Sequence, residues 1–104
     1  MELVIVLIDY RAQPGKVEFA SVELAKLIAE VQSKESGCLG ITLHQNRDEP
    51  ERFLLIERWK DRATFEGPHM QTSHLQAFIA SAVTFLAGPP EMSFWEAIDA
   101  PDQL

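Results

Sequence analysis

The first apolar stretch of the chain has the length and composition of a buried β-strand. Residues 3–8 read LVIVLI, an unbroken run rich in β-branched side chains. A short run of this kind is typical of a strand buried on both faces. The sequence QPG at residues 13–15 is a turn signal. We therefore predict a first strand that ends in a tight turn.

The next segment changes to helical periodicity. Between residues 16 and 35, apolar side chains recur at the three- and four-residue intervals of one helix face, and most of the charged residues lie off that face. The predicted stripe consists of Val17, Ala20, Leu24, Leu27, Ile28 and Val31. Ser36 and Gly37 end this helix.

Two strands joined by a polar connection follow the first helix. Residues 38–46 alternate, with Leu39, Ile41 and Leu43 predicted on one face and Gly40, Thr42 and His44 on the other. The polar segment RDEPER contains a proline and predicts a hairpin connection. Residues 52–59, RFLLIERW, are the predicted third strand.

A second long helix and a fourth strand complete the predicted order. Residues 60–67 form a turn or a short helical segment, and residues 73–88 form the helix, with Ser73 and Gln76 as a capping box. Gly88 and the prolines after it stop that helix. Residues 91–98 are the fourth strand, and residues 100–104 are a polar tail. The apolar stripe of the second helix consists of Leu75, Phe78, Ile79, Ala82, Val83 and Leu86.

The order β-α-β-β-α-β indicates an α+β, ferredoxin-like fold with one antiparallel sheet and both long helices on one face. At this length we expect a single domain, residues 1–104. The first strand is apolar at every position, and the third and fourth carry large apolar groups on both faces. Because both long helices lie on one face of the sheet, the apolar side chains on the other face need a cover. We therefore predict a homodimer in which two sheets pack face to face. The alternative is an exposed apolar patch, which monomers seldom tolerate.

Composition and charge limit the classes of binding partner and the cellular location that we expect. The formal net charge is −7, which argues against nucleic acid and anionic membranes because both attract concentrated Lys and Arg. Cys38 is the single cysteine, so no internal disulfide forms, and it is expected to be an inert buried thiol. The N-terminal apolar run lacks a basic flank and is broken by Asp9, so we expect neither signal peptide nor spanning helix, and a cytoplasmic location.

The segment GPHMQTSHLQAF, residues 67–78, contains two of the three histidines, His69 and His74. Their spacing of five is not that of a helical metal-binding couple, and a zinc site needs three protein ligands. We therefore expect no metal. His69 follows a rigid Gly-Pro turn and either reaches a pocket mouth or bonds to backbone. His74 in the first helical turn is either functional or solvent-facing.

Glu57 shares a predicted strand face with Phe53, Leu55 and Trp59. A carboxylate on such a face must be paired or line a cavity, unless it lies at a partly exposed strand end. Trp59 is predicted to be core or an aromatic wall. His44 points into the dimer interface or into solvent.

Four segments in order resemble the antibiotic biosynthesis monooxygenase (ABM) family, the small quinol monooxygenase-like dimeric α+β barrel proteins. They are YRAQPGK after the first strand, SGCLGITLHQN entering the second, FLLIERW on the third, and H-x-x-x-S-H-x-x-x-F opening the second long helix. The resemblance runs from about residue 4 to residue 98. It implies a homodimer with a pocket between sheet and helices in each subunit. It also implies oxidation of polycyclic phenols or quinols by O2 without flavin, haem or metal, with the deprotonated substrate supplying the electrons.

The resemblance also suggests site residues. Glu57, Trp59, His69 and His74 match the family pattern E-x-W…H…H, although the stretch from Trp59 to His69 is one residue longer than expected. The haem-degrading branch uses an asparagine on the first strand, where this chain has none. A branch that isomerises phosphorylated signals would need basic pocket groups, and few are available here.

From this resemblance we expect a cofactor-independent monooxygenase acting on a small aromatic quinol or phenol with O2. His69 is the expected general base or substrate hydroxyl partner, and His74 and Glu57 orient it or hold the oxyanion. The expected substrate contacts are Trp59, Phe65, Phe78 and His44. The alternatives are a non-catalytic dimer that binds a small ligand and an isomerase of a small carbonyl metabolite.

Overall fold

The computed structural model describes residues 3–99 and contains the predicted order of strands and long helices. The predicted polar tail, residues 100–104, lies outside the described residues. The strands are β1 (Val4–Arg11), β2 (Cys38–Gln45), β3 (Arg52–Trp59) and β4 (Glu91–Trp95). The helices are α1 (Val17–Lys34), α2 (Arg62–Glu66) and α3 (Ser73–Ala82), with a 3₁₀ turn (Pro68–Gln71) between the last two.

The four strands form one antiparallel sheet in the order β2-β3-β1-β4. This arrangement confirms the α+β, ferredoxin-like prediction. The central pair is in continuous register, so that Val6 of β1 lies opposite Glu57 of β3 and Phe94 of β4. Side chains on these facing positions share one sheet face, the face covered by the helices.

Burial along β1 shows how the sheet divides into two faces. Val4, Val6 and Ile8 are buried, whereas the alternate residues Ile5 and Leu7 are only partly buried. Because side chains alternate along a strand, the second set lies on the face opposite the helices. The run that predicted burial on both faces is therefore covered on one face within a single chain.

Helix α1 follows its predicted stripe. Ala20, Leu24, Leu27, Ile28 and Val31 are buried against the sheet. Apolar burial of this kind stabilises a domain by roughly 25 cal/mol for each Å² removed from water. The helix therefore owes its stability mainly to the packed face.

The predicted alternation of β2 is wrong at its start. The pairing between β2 and β3 shifts between Cys38 and Gly40, so Leu39 is an extra residue in a β-bulge. A bulge interrupts the two-residue period. Leu39 is therefore 46% exposed instead of sharing the buried face of Ile41.

The second long helix begins at Ser73, as predicted, but it ends at Ala82, six residues before the predicted end at residue 88. Thr72, not Ser73, is the N-cap, with its side-chain oxygen accepting from the backbone N–H of Leu75. The Gln76 side chain bonds to the Met70 carbonyl instead of completing a capping box.

Beyond the end of α3 at Ala82, a side chain that is distant in sequence bonds to two carbonyl groups. Gln13 donates to the carbonyl oxygens of Val83 and Leu86 at 2.8 and 3.0 Å. Leu86 also forms a bridge to Ala12 beside β1. These contacts hold residues 83–86 in a turn against the end of the first strand.

Strand β4 is shorter than predicted, ending at Trp95 instead of Ile98. Its partner β1 pairs Ile5 with Trp95 and begins at Val4, so the neighbouring strand offers almost no further partners. Within residues 3–99, none of the helices combines the length and the apolar composition needed to cross a membrane.

Candidate functional site

A cavity of about 530 Å³ lies between the sheet and the helices. Its walls come from β1, β3, α1, the 3₁₀ turn and α3, and most of them are apolar. At its rim Val83 is 75% exposed, and Ile79 and Met92 are also exposed. The cavity is therefore apolar inside and opens through an apolar rim.

Glu57 reaches this cavity because β3 alternates. It is buried, it shares its face with Leu55 and Trp59, and its Oε1 accepts a hydrogen bond from Trp59 Nε1 at 2.8 Å. Burial raises the pKa of Glu57 to about 7, the Trp59 hydrogen bond opposes the rise, and the negative charge of Glu35 adds to it. Glu57 is thus a carboxyl group that changes charge near neutral pH.

Tyr10 is a second polar group on the cavity wall, and it is not among the site residues predicted from the sequence. It follows Val6 and Ile8 on the buried face of β1 and packs edge-to-face on Phe78. Burial, and then the charge of Glu57, raise the pKa of the Tyr10 phenol well above its ordinary value. The group is therefore a neutral hydrogen-bond donor. The sequence does contain a signal for this placement, because Tyr10 lies two residues after Ile8 and alternation along a strand puts both side chains on the same face.

His69 is the third polar group on the wall. The 3₁₀ turn places its buried ring against Phe65, stacked at 5.1 Å between centroids, and against Trp59 at 4.5 Å. Its Nδ1 lies 2.9 and 3.1 Å from the two carboxylate oxygens of Glu35. Burial lowers the pKa of His69, Glu35 opposes that change, and His74 adds to it.

Glu35 was also missed from the sequence, because it follows α1 in the polar segment SKESG and reads as a surface residue. Its Oε2 lies 2.5 Å from Nε2 of His74, so one carboxylate contacts both imidazoles. No local sequence pattern marks Glu35 as a site residue. Its role follows from the end of α1 facing the segment that carries His69, and this arrangement exists only in the folded chain.

The contact with Glu35 fixes which His69 nitrogen carries the proton. An ionised carboxylate only accepts hydrogen bonds, so Nδ1 is the donor and Nε2 of the neutral ring carries a lone pair. Nε2 bonds to no other described residue, and no fully buried side-chain nitrogen or oxygen in residues 3–99 lacks a partner. Because His69 lines the cavity, its Nε2 has access to that space.

The structure brings most of the predicted site residues together. The residues that line the cavity are Glu57, Phe65, His69 and Phe78. Trp59 does not line the cavity, but it contacts both Glu57 and His69. His74 does not line the cavity and instead contacts Glu35.

The predicted substrate contact His44 is separated from the others. It lies opposite Leu54 on the sheet face away from the helices, and its exposed ring bonds to Thr42. The two-residue period of β2 directs it there, so the cavity lacks this predicted contact. In the described part of the chain, no three His, Cys, Asp or Glu side chains are grouped in a way that could hold a metal ion.

Comparison with known proteins agrees with this architecture. The family model described as "Antibiotic biosynthesis monooxygenase" matches residues 3–81. The Bacillus subtilis protein named "Putative monooxygenase YcnE" is 31% identical over 79 residues, which cover 76% of this chain and 81% of that protein. "Uncharacterized protein sll1783" of Synechocystis is 26% identical over 93 residues, or 89% of this chain, and the match spans 62% of that relative's length.

A solved structure supports the fold in detail. PA3566 from Pseudomonas aeruginosa superposes with a TM-score of 0.85 at 28% identity, covering 95% of this chain and 97% of that one. The agreement extends over almost all the residues that form the sheet, the helices and the cavity between them.

Proposed function

The chain belongs to the antibiotic biosynthesis monooxygenase family, and from that premise we propose that it is a small cofactor-independent monooxygenase that oxidises an aromatic quinol or phenol with O2. The observation that carries the proposal is an imidazole nitrogen free to act as a base at the wall of an apolar cavity. Such a nitrogen can take a phenolic proton from a substrate held between apolar walls.

The cavity suits an aromatic substrate. Its volume of about 530 Å³ falls within the roughly 300–1,000 Å³ range of small-molecule sites. Phe65 and Phe78 supply aromatic surfaces, and aromatic rings pack favourably edge-to-face or offset. The polar groups on the wall are Tyr10, Glu57 and His69, and each can bond to a substrate hydroxyl.

The proposed reaction begins with proton transfer from the substrate hydroxyl to Nε2 of His69. The electron-rich phenolate then gives an electron to O2, and the two radicals combine to form a peroxide anion at a ring carbon that bears hydrogen. The proton held by His69 passes to this anion, which becomes a hydroperoxide. Loss of that carbon's proton and cleavage of the O–O bond leave a carbonyl, and the released hydroxide takes a proton to become water. One oxygen atom enters the product, the other becomes water, and the substrate supplies all four electrons.

Two polar groups on the cavity wall can stabilise the deprotonated substrate by hydrogen bonding to its oxygen. The neutral Tyr10 hydroxyl donates a hydrogen bond, and Glu57 donates a second one when it is protonated, below about pH 7. Donors fixed in an apolar site stabilise developing negative charge on oxygen more strongly than water does. The rings of Phe65 and Trp59 pack against the buried His69 ring and limit its exposure to solvent.

Oxygen uptake by metal-stripped protein with a panel of quinols and hydroxynaphthalenes tests this proposal. We expect uptake that survives chelation, and a His69→Ala variant slower by about 10²–10⁴-fold, the usual contribution of a general base. Gln71→Ala is the matched control, because this exposed residue lies on the same 3₁₀ turn.

Absence of uptake with every substrate would contradict the proposal. Thermal stabilisation by a phenol without product would then favour a binding protein. Conversion of a small carbonyl compound without oxygen consumption would favour an isomerase.

We further propose that the protein is a homodimer through the sheet face opposite the helices. Ile5, Leu7, Leu54 and Ile56 lie on that face and are only partly buried, and Trp95 is exposed there. A two-fold contact would cover the same apolar surface in both copies.

Sedimentation of an Ile56→Lys variant tests the dimer, because a lysine at the centre of this face would be buried without a partner. We expect a monomer for Ile56→Lys and a dimer for Val22→Lys, which adds the same charge at an exposed apolar position of α1. A wild-type protein that sediments as a monomer would contradict the proposal.

A further inference from the structure

We propose that Glu35 is the positioning residue of the site, that it holds the His69 ring with Nε2 directed to the cavity, and that His74 serves as the second anchor of Glu35 without touching substrate. The kinetic part of this inference rests on the proposed oxygenase function. The structural part does not, because it concerns the orientation and proton of a ring in the free protein.

The geometry of three side chains from three elements carries the inference. Glu35 ends α1, His69 belongs to the 3₁₀ turn and His74 to the first turn of α3. Their side chains are 10%, 5% and 7% exposed. Both Glu35 oxygens lie within 3.1 Å of His69 Nδ1, and Oε2 also contacts His74 Nε2. The carboxylate is therefore held from two sides.

This arrangement assigns different parts to the two histidines. His69 uses one ring nitrogen on Glu35 and turns the other to the cavity. His74 also uses one nitrogen on Glu35, but it does not line the cavity. A base held by a third group in one orientation is the usual arrangement in acid–base catalysis. His74 restrains the carboxylate and so acts on His69 only through it.

Glu35 also favours the protonated form of His69. When Nε2 takes a proton, the ring becomes a cation about 3 Å from a carboxylate, and a nearby opposite charge favours the charged form. Consistent with this, Glu35 opposes the effect of burial on the pKa of His69. Replacing its charge should therefore lower the pKa of His69 further.

Other ionisable groups face the same cluster and must be held constant. Glu57 approaches from β3 and interacts with Glu35, and Cys38 of β2 lies near both carboxylates. On α1, Glu30 pairs with Lys34 and lies near His74. A Glu35→Gln variant keeps each of these groups in place, but it removes the part of the rise in the pKa of Glu57 and Cys38 that the Glu35 charge causes.

Nitrogen-15 NMR of the histidine rings tests the inference in the free protein. In the wild type we expect neutral His69 to carry its proton on Nδ1 and to have an unprotonated Nε2. In Glu35→Gln we expect the titration of His69 to move to lower pH. Glu23→Gln, the same charge change in a salt bridge on the outer face of α1, should leave that titration in place.

A purely structural link between α1 and α3 would not move the titration of His69. An Nε2-protonated His69 in the wild type, or an unchanged titration in Glu35→Gln, would overturn the inference. Glu35→Gln retains an amide oxygen that can accept from His69, so the variant has a means of keeping its fold.

Kinetics separate the two proposals. With a turned-over phenol, we expect Glu35→Gln to lower kcat by about tenfold or more, with little change in KM, as expected when the group that orients a catalytic imidazole is replaced. His74→Gln should retain activity by supplying an N–H to Glu35, whereas His74→Ala should lose it. Equal activity of these two His74 variants would contradict the anchoring part. Expected NMR results without turnover of any phenol would contradict the oxygenase function and leave the positioning of His69 supported.

Discussion

Burial of the Glu57 carboxyl makes the stability of the protein depend on pH, and a Glu57→Gln variant should remove that dependence. The pKa of this group rises on folding from 4.5 to about 7 because burial disfavours the carboxylate. Between these two values the folded chain keeps a proton that the unfolded chain has released. The free energy of unfolding therefore falls as pH rises from 4.5 to about 7 and then levels off.

The size of the effect follows from the two pKa values. Each unit of difference corresponds to about 1.4 kcal/mol, so Glu57 lowers the free energy of unfolding by about 3 kcal/mol at high pH. The isoelectric point is about 4.8, where low net charge favours precipitation. Between pH 5.5 and 8.5, where the charge is larger, about 2 kcal/mol of the change remains.

The assay is urea unfolding followed by far-ultraviolet circular dichroism, at one protein concentration and several pH values. Glutamine keeps an oxygen that accepts from Trp59 and has no charge to bury. We expect Glu57→Gln to gain stability relative to the wild type by about 2 kcal/mol as pH rises from 5.5 to 8.5. The other titrating groups are common to both proteins and largely cancel in the difference.

Glu66→Gln is the control, because this exposed carboxylate is paired with Arg62 on α2. Its stability relative to the wild type should change little across the same pH range. A difference between Glu57→Gln and the wild type that stays constant or shrinks as pH rises would refute the reasoning about the buried carboxyl.

Three further variants test the packing around the site. Trp59→Phe removes the N–H that favours ionised Glu57, so carbon-13 NMR of the Glu57 carboxyl should show its pKa rising further; a fall would contradict this. Gly37→Ala would place a Cβ 2.6 Å from Thr64 Cγ2 and should cost about 1–3 kcal/mol in urea unfolding. Adding Thr64→Ser, which lacks that methyl, should recover most of the loss, and no recovery would rule out the clash. Leu24→Ala empties a fully buried position and should lower the free energy of unfolding by about 2–5 kcal/mol; less than 1 kcal/mol would mean that the core there is loose.

The elements that the sequence predicted well are those set by local periodicity. The stripe of α1 is buried as predicted, and β3 places Glu57 on the buried face with Leu55 and Trp59. In both cases the spacing of apolar residues alone decides which side chains face the core. The family resemblance, which is confirmed, depended on one of these segments, FLLIERW of β3, together with three segments elsewhere in the chain.

The element boundaries depended on contacts that local patterns do not contain. Thr72 and Ser73 are adjacent residues of similar capping ability, and the structure uses the first. Beyond the end of α3, the carbonyl groups of Val83 and Leu86 bond to Gln13, about 70 positions away. The bulge at Leu39 depends on pairing between two strands. The last two of these features involve contacts between distant parts of the chain.

In the candidate site, too, some features follow from the local sequence and others depend on tertiary contacts. His69 could be selected from its turn and its residue type, but its orientation depends on Glu35, which is 34 positions away. Glu35 reads as a surface residue in the sequence because its partners come from two other elements. His44 was selected for its residue type, and the face of β2 on which it lies separates it from the cavity.

The most direct test of the account is the fate of the two oxygen atoms of ¹⁸O2 in a reaction of chelator-treated protein with a phenol that it turns over. We expect one labelled oxygen in the new carbonyl and one in water, at a rate that falls sharply in His69→Ala. Product that acquires its oxygen from water, or labelling that is unaffected in His69→Ala, would contradict a cofactor-independent monooxygenase with His69 as its base.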